Sequence, residues 1–87
     1  MAYRVEVTEA AEQDLSALPR DILSRVNARI LTLAERPRPR GSILLQGSRN
    51  LRRLRVGAYR MIYQVDDAQH VVTIARVRHR RDSYRGL

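Results

Sequence analysis

The sequence predicts an α+β domain in the order β-α-α-β-β-β, with a helical hairpin packed on one face of a mainly antiparallel sheet and an open basic face opposite. Three observations carry this expectation. Two stretches near the start space their apolar residues by three and four; a proline-rich stretch then forbids further helix; and from Leu51 onward apolar and charged residues alternate in three short runs separated by turn chemistry.

In chain order, Tyr3, Val5 and Val7 alternate with Arg4 and Glu6, which is the pattern of a strand with one buried face. Thr8 is suited to cap a helix, and Glu9 and Glu12 fall in its first turn, where the helix dipole favours negative charge. This helix is expected from about Glu9 to Leu18, with Ala11, Leu15 and Leu18 as its apolar side. Pro19 interrupts it. A second helical pattern follows at Ile22, Val26, Ile30 and Leu33, flanked by Leu23 and Ala34, with Asp21, Arg25, Arg29 and Glu35 as its expected solvent face. RPRPRGS, from Arg36 to Ser42, cannot continue a helix and is expected to be a solvated linker. Ile43, Leu44 and Leu45 are expected to pin the chain to the core before Gln46-Gly47-Ser48 loops outward.

The three alternating runs come next. Residues two apart on a strand share a face, so Leu54, Val56, Met61, Tyr63 and Val65 are expected on the apolar side and Arg53, Arg55 and Arg60 on the other, beside Ile62 and Gln64. Gly57 supplies the reversal between the first two runs. Asp66-Asp67-Ala68-Gln69 supplies the second turn, and the third run, from His70 to Val77, returns antiparallel. A tail then adds Arg78, His79, Arg80, Arg81, Tyr84 and Arg85.

Length and composition bound the rest. Residues 1–87 are expected to form one domain, a size that buries roughly 60 to 65% of the unfolded surface and supports one modest core. With no cysteine, disulfide frameworks and cysteine-zinc sites are excluded. MAYRVEV lacks the continuous apolar stretch of a secretory signal, and no apolar run is long enough to span a bilayer, so a cytoplasmic location without membrane contact is expected.

Charge is strongly segregated. All seventeen basic residues are arginine. Residues 1–35 hold four arginines against six acids, a net of −2, whereas residues 36–87 hold thirteen against three, a net of +10. A bias toward arginine codons would explain the absence of lysine but not this asymmetry. A half so basic attracts polyanions, and the planar guanidinium matches phosphate bidentately, which points to nucleic acid or an acidic protein segment as the partner.

The run RLRVGAYRMIYQVDD, followed after a strand by HRRDSY, resembles the RelE/ParE superfamily of toxins from bacterial type II toxin–antitoxin modules. YRVEVTEAAEQDLSALP is similar to that family's first strand and helix, and LLQG to its leucine-glycine pair before the strands. The resemblance spans nearly the whole chain; its most specific parts are the RVGAYR turn and the HRRDSY tail.

RelE-like members cut messenger RNA in the ribosomal A site, and the resemblance implies a site here made of Arg53 and Arg55, Arg60, Arg80 and Tyr84, with His79 an added candidate and Arg81 a further phosphate contact. It implies a metal-independent reaction without cofactor, in which the RNA's own 2′-hydroxyl attacks the adjacent phosphate. Arginine supplies charge stabilisation well but cannot accept a proton. In the best-known relatives lysines on the strands are credited with proton handling; this chain has none, which leaves His79 or Tyr84 for that work. Arg76 is expected either as a paired guanidinium or as an RNA contact. The implied partners are a cognate acidic antitoxin, the ribosome and mRNA, with no small-molecule ligand. Two alternatives belong to the same resemblance: a ParE-like inhibitor of DNA gyrase without nuclease activity, and a degenerate member that binds its antitoxin.

Overall fold

The structure, a computed structural model, describes residues 2–48 and 50–81. Its elements are β1 (Arg4–Val7), α1 (Glu9–Ser16), α2 (Arg20–Glu35), β2 (Ile43–Leu44), β3 (Leu51–Val56), β4 (Tyr59–Asp66) and β5 (Val71–His79). They form one five-stranded sheet of order β1-β5-β4-β3-β2, in which β1 lies parallel to β5 and every other pair is antiparallel. The expected order is present with one addition. Ile43 and Leu44 do not pin the chain to the core: they are 51% and 45% exposed and form the outer strand β2 against Arg53 and Arg52. Apolar composition alone does not separate a core anchor from an apolar edge.

The helices form where their caps and apolar stripes dictate. Thr8 sits extended, and its Oγ1 accepts the Ala11 N–H at 3.1 Å, so one free helix donor is satisfied. α1 stops at Ser16, two residues short of expectation, because Pro19 biases Leu18 away from helical geometry. Leu18 nevertheless packs against the core. Ala11, Val26, Ile30 and Leu33 from the helices meet Leu54, Val56, Met61, Tyr63, Val65, Val72, Ile74 and Val77 from the sheet. The hairpin of helices therefore covers the face anticipated for it. Among the described residues no helix is long and apolar enough to cross a membrane.

The RPRPR stretch is tied down rather than merely solvated. Arg38 makes a two-pronged contact with Asp67, at 2.9 and 3.2 Å, and Tyr3 donates its hydroxyl to the same carboxylate at 2.6 Å. Tyr63, wholly buried, donates its hydroxyl to the Pro37 carbonyl at 2.7 Å. His70 ends the β4–β5 turn with φ at 55° and stacks its ring on Tyr3, 5.0 Å away. These contacts lock one end of the sheet.

β5 contains an irregularity that the alternation did not reveal. Tyr63 pairs with Ile74 and Ile62 with Arg76, so Ala75 is an extra residue without a partner on β4, a bulge. It is held from α1. Thr8, having accepted from Ala11, donates its hydroxyl to the Ala75 carbonyl at 2.9 Å, while its N–H donates to the Ile74 carbonyl at 3.0 Å. Asp14 accepts the Val77 N–H at 2.9 Å and the Arg76 guanidinium at 2.9 and 3.2 Å. β1 pairs with β5 through Ile74, and α1 satisfies the edge beyond it.

Thr8→Val keeps shape but removes both the cap and the bulge carbonyl's partner, so it should cost about 2 kcal/mol, read as a lower urea midpoint at unchanged slope. Acid should act through the two clamped carboxylates. For Asp14, burial pushes the pKa up, but the Arg76 and Val77 hydrogen bonds and the charges of Arg76 and Arg78 outweigh it and hold the group below its ordinary value. For Asp67 the Arg38 and Tyr3 hydrogen bonds do the same. Both bind a proton less readily folded than unfolded, so their stabilisation is complete above the ordinary carboxylate pKa, about 4, and is lost as pH falls through the lower folded values. Urea midpoints should be flat from about pH 7 to 5 and fall below about pH 4, less steeply in Asp14→Asn.

Candidate nucleic-acid interface

On the face away from the helices, the register lines up charges row by row. Arg55, Arg60 and Arg78 are successive partners across β3, β4 and β5. The next row is Arg53, Ile62 and Arg76, and the one after it Leu51, Gln64 and Thr73. Partner residues stand about 4.5 to 5.5 Å apart at Cα, so the first row raises three guanidinium stems side by side. Like charges placed directly opposite destabilise a sheet. An anionic ligand laid across the row would relieve that cost.

Ile62 sits among these arginines yet is fully buried, apart from the main core. Its row neighbours Arg53 and Arg76 are half-buried, as expected of long side chains whose methylene stems cover an apolar neighbour. Arg76 is the paired guanidinium of the two possibilities, held by Asp14.

Arg53, Arg55 and Arg60 thus share the open face as expected. Arg80 lies just past β5, its N–H donating to the Ala58 carbonyl at 2.8 Å, which sets it at the hairpin end of the sheet near the Arg55–Arg60–Arg78 row. Arg81 follows, exposed, with its N–H donating to His79 Nδ1 at 3.2 Å. His79 does not join them. It is the register partner of Tyr59, in the row ending at Val56, and so takes the helix side of the sheet. There its ring meets the Tyr59 ring edge-on at 5.2 Å. Tyr84 lies outside the described residues. Arg78, which alternation alone does not bring to this face, joins Arg60 there because the Ala75 bulge shifts every later residue of β5 by one.

A second feature borders the row. Ile43, Leu44, Leu45, Gln46, Gly47, Ser48, Leu51 and Arg53 line an open groove of about 700 Å³ beside β2. Its lining is mostly apolar, with Gln46, Ser48 and Arg53 as the polar side chains.

A two-helix, five-stranded α+β chain with an arginine-lined open face matches, over residues 5–84, the family described as the ParE toxin of type II toxin-antitoxin system, parDE. The chain belongs to the RelE/ParE superfamily of type II toxins. It is similar to Toxin RelG of Mycobacterium tuberculosis, 39% identical over 98% of this chain and 99% of that one. Among solved structures it is similar to the toxin in the RelBE2 complex of Mycobacterium tuberculosis, 33% identical over 91% of this chain and 99% of that one, with a TM-score of 0.79. The archaeal RelE-RelB complex from Pyrococcus horikoshii offers a further match, 32% identical over 92% of this chain and 97% of the other, with a TM-score of 0.82.

If single-stranded RNA lies across this row, phosphate contacts by Arg55, Arg60 and Arg78 should contribute about −2 to the log–log salt slope, at about 0.7 per neutralised charge. Arg60→Gln should make the slope shallower by about 0.7 in a salt titration of affinity. An unchanged slope would remove Arg60 from the interface.

Proposed function

We propose that this toxin is a RelE-like, ribosome-dependent endoribonuclease that cleaves mRNA and thereby inhibits translation in the cytoplasm. The observation that carries the reading is the Arg55–Arg60–Arg78 row, a concentration of guanidinium charge on a face the helices leave open. The names of relatives at 39% and 32% identity, RelG and RelE, support it.

In the proposed reaction the 2′-oxygen forms a bond to phosphorus and the bond from phosphorus to the 5′-oxygen breaks. A proton leaves the 2′-hydroxyl and one is delivered to the 5′-oxygen. The products are a 2′,3′-cyclic phosphate and a 5′-hydroxyl. Arg55, Arg60 and Arg78, with Arg53 and Arg80 beside them, stabilise the extra negative charge of the phosphorane-like transition state. Arginine stays protonated, so proton transfer falls to another group. Of the two candidates, His79 occupies the face opposite the row and accepts the Arg81 N–H, and we assign the proton transfer to Tyr84.

An antitoxin is the proposed partner, since the relatives solved at 33% and 32% identity are RelB complexes. An acidic segment with apolar anchors suits the groove beside β2, where Ile43, Leu44 and Leu51 meet the Arg53 rim.

A second reading, gyrase inhibition, is favoured by the ParE description of the matched family. The arginine row weighs against it, because a protein-binding inhibitor without chemistry has no need to crowd like charges on one sheet face.

Two variants separate the proton carriers. Tyr84→Phe keeps the ring and removes the hydroxyl, so single-turnover cleavage of ribosome-bound message should fall by about 10² to 10⁴. His79→Ala should retain cleavage within about tenfold, the range of a group acting through position rather than proton transfer. Wild-type protein that leaves message intact while arresting DNA supercoiling by purified gyrase would replace this reading with the second.

A further inference from the structure

The β3–β4 turn does not project freely from the sheet; it faces α2 across a cleft of about 290 Å³ lined by Arg25, Ala28, Arg29, Arg55, Val56 and Gly57. Arg25 and Arg29, four apart, are neighbours on one side of α2, where like charges repel. The sequence pattern placed both on the solvent face. Instead Arg29 is half-buried, and its Nε is enclosed with no hydrogen-bond partner. Arg25 lies against the turn: a Cβ added at Gly57 would stand 3.4 Å from its Nη1. Gly57, at φ 59°, thus both makes the reversal and leaves room for the guanidinium.

Three arginines line this cleft, and none of Arg25, Arg29 and Arg55 is in an ion pair among the described residues. An enclosed guanidinium N–H without an acceptor, beside two further cations, is an arrangement that an anion with several oxygens would complete. We propose that the cleft is a second anion site, which holds a backbone phosphate of bound RNA away from the nucleotides on the Arg60 row. This inference rests on the RNA-cleaving reading above. Arg55 belongs to both features, so the cationic track runs from Arg78 through Arg60 and Arg55, over the end of the hairpin, to Arg29 and Arg25.

The lining favours RNA over an acidic protein segment. Val56 is 5% exposed, and Ala28 is the other apolar side chain present, so nothing in the cleft anchors a segment that folds on binding. The apolar groove beside β2 supplies what such a segment needs. Arginine forks and phosphate oxygens match here without apolar contacts.

The test uses the full chain and an oligouridine whose 2′-oxygens are methylated, so that binding is read without cleavage. Arg25→Gln with Arg29→Gln should make the log–log salt slope shallower by about 1.4, at about 0.7 per lost contact, and Arg25→Gln alone by about 0.7. Arg25 is exposed, so the single variant keeps the test independent of folding. The Arg29 Nε–H resonance should shift on adding the oligonucleotide. Unchanged slopes in both variants overturn the proposal, whereas the same result alongside a shallower slope in Arg60→Gln leaves the nuclease reading standing. If inorganic phosphate alone moves the Arg29 resonance and the slopes do not change, the cleft takes free phosphate and the assignment to RNA is overturned. Failure of wild-type protein to cut message, with the cleft slopes reduced as expected, would sink the nuclease reading and keep the RNA site.

Discussion

The bulge at Ala75, and the two α1-side residues that hold it, decide which side chains the open face carries. Unbroken alternation from Val72 would place Arg76 and Arg78 with the core and turn Val77 and His79 outward. One extra residue reverses this: Val77 enters the core beside Met61, and Arg78 joins Arg60. The reversal is enforced by hydrogen bonds to backbone groups that the bulge would otherwise leave unmet. Thr8 takes the Ala75 carbonyl and Asp14 the Val77 N–H. Because Thr8 also caps α1, the start of the helix and the register of β5 are fixed by one side chain.

A row of three arginines with no acid in it is a poor way to stabilise a sheet. Its cost is tolerable because it is local: the adjacent cross-strand row on the buried side, Leu54, Met61 and Val77, is wholly apolar and each of its members is at most 3% exposed. A protein whose packing lies on one side of its sheet can keep unfavourable electrostatics on the other. Local rules are commonly broken where a site must meet a ligand of opposite charge. The structure does this twice, on the open face and in the cleft against α2.

Much of the fold was legible because the apolar periodicity was unambiguous. The stripe Val26, Ile30 and Leu33 and the alternation Leu54, Val56, Met61, Tyr63 and Val65 admit one arrangement, and Pro19 and RPRPR set the boundaries. The open face of β3 and β4 was equally plain, so Arg53, Arg55 and Arg60 were found by alternation and the resemblance together. β5 was not plain. VVTIARVRH is apolar enough on both parities that a one-residue bulge leaves no mark in it, and its cause lies 62 to 67 residues away in sequence, in Asp14 and Thr8. For the same reason Arg78 was passed over and His79 was placed with the site. Arg29 was misread differently, while Arg25 is exposed as expected: helical periodicity reports which face turns from the core, but not that a hairpin turn will fold back against it. Ile43 and Leu44 show the converse error, since edge and core strands share a composition.

The two ends of the sheet also divide the chain's acids unequally, and this sets the field at the site. Asp66 and Asp67, the described acids of the basic half, both lie at the β4–β5 turn, where Asp67 is engaged by Arg38 and Tyr3 and Asp66 accepts the Gln69 N–H. Arg60 stands six residues back along β4, about 20 Å at the rise of an extended strand. That is more than two Debye lengths at physiological ionic strength, so these carboxylates do little to cancel the arginine row. Asp14 does reach the row's end, but its oxygens are directed at Arg76 and the Val77 N–H. The segregation read from the sequence as −2 against +10 is therefore sharpened by the fold: among the described residues, the acids of the basic half are spent on closing its far turn, away from the arginines at the hairpin end.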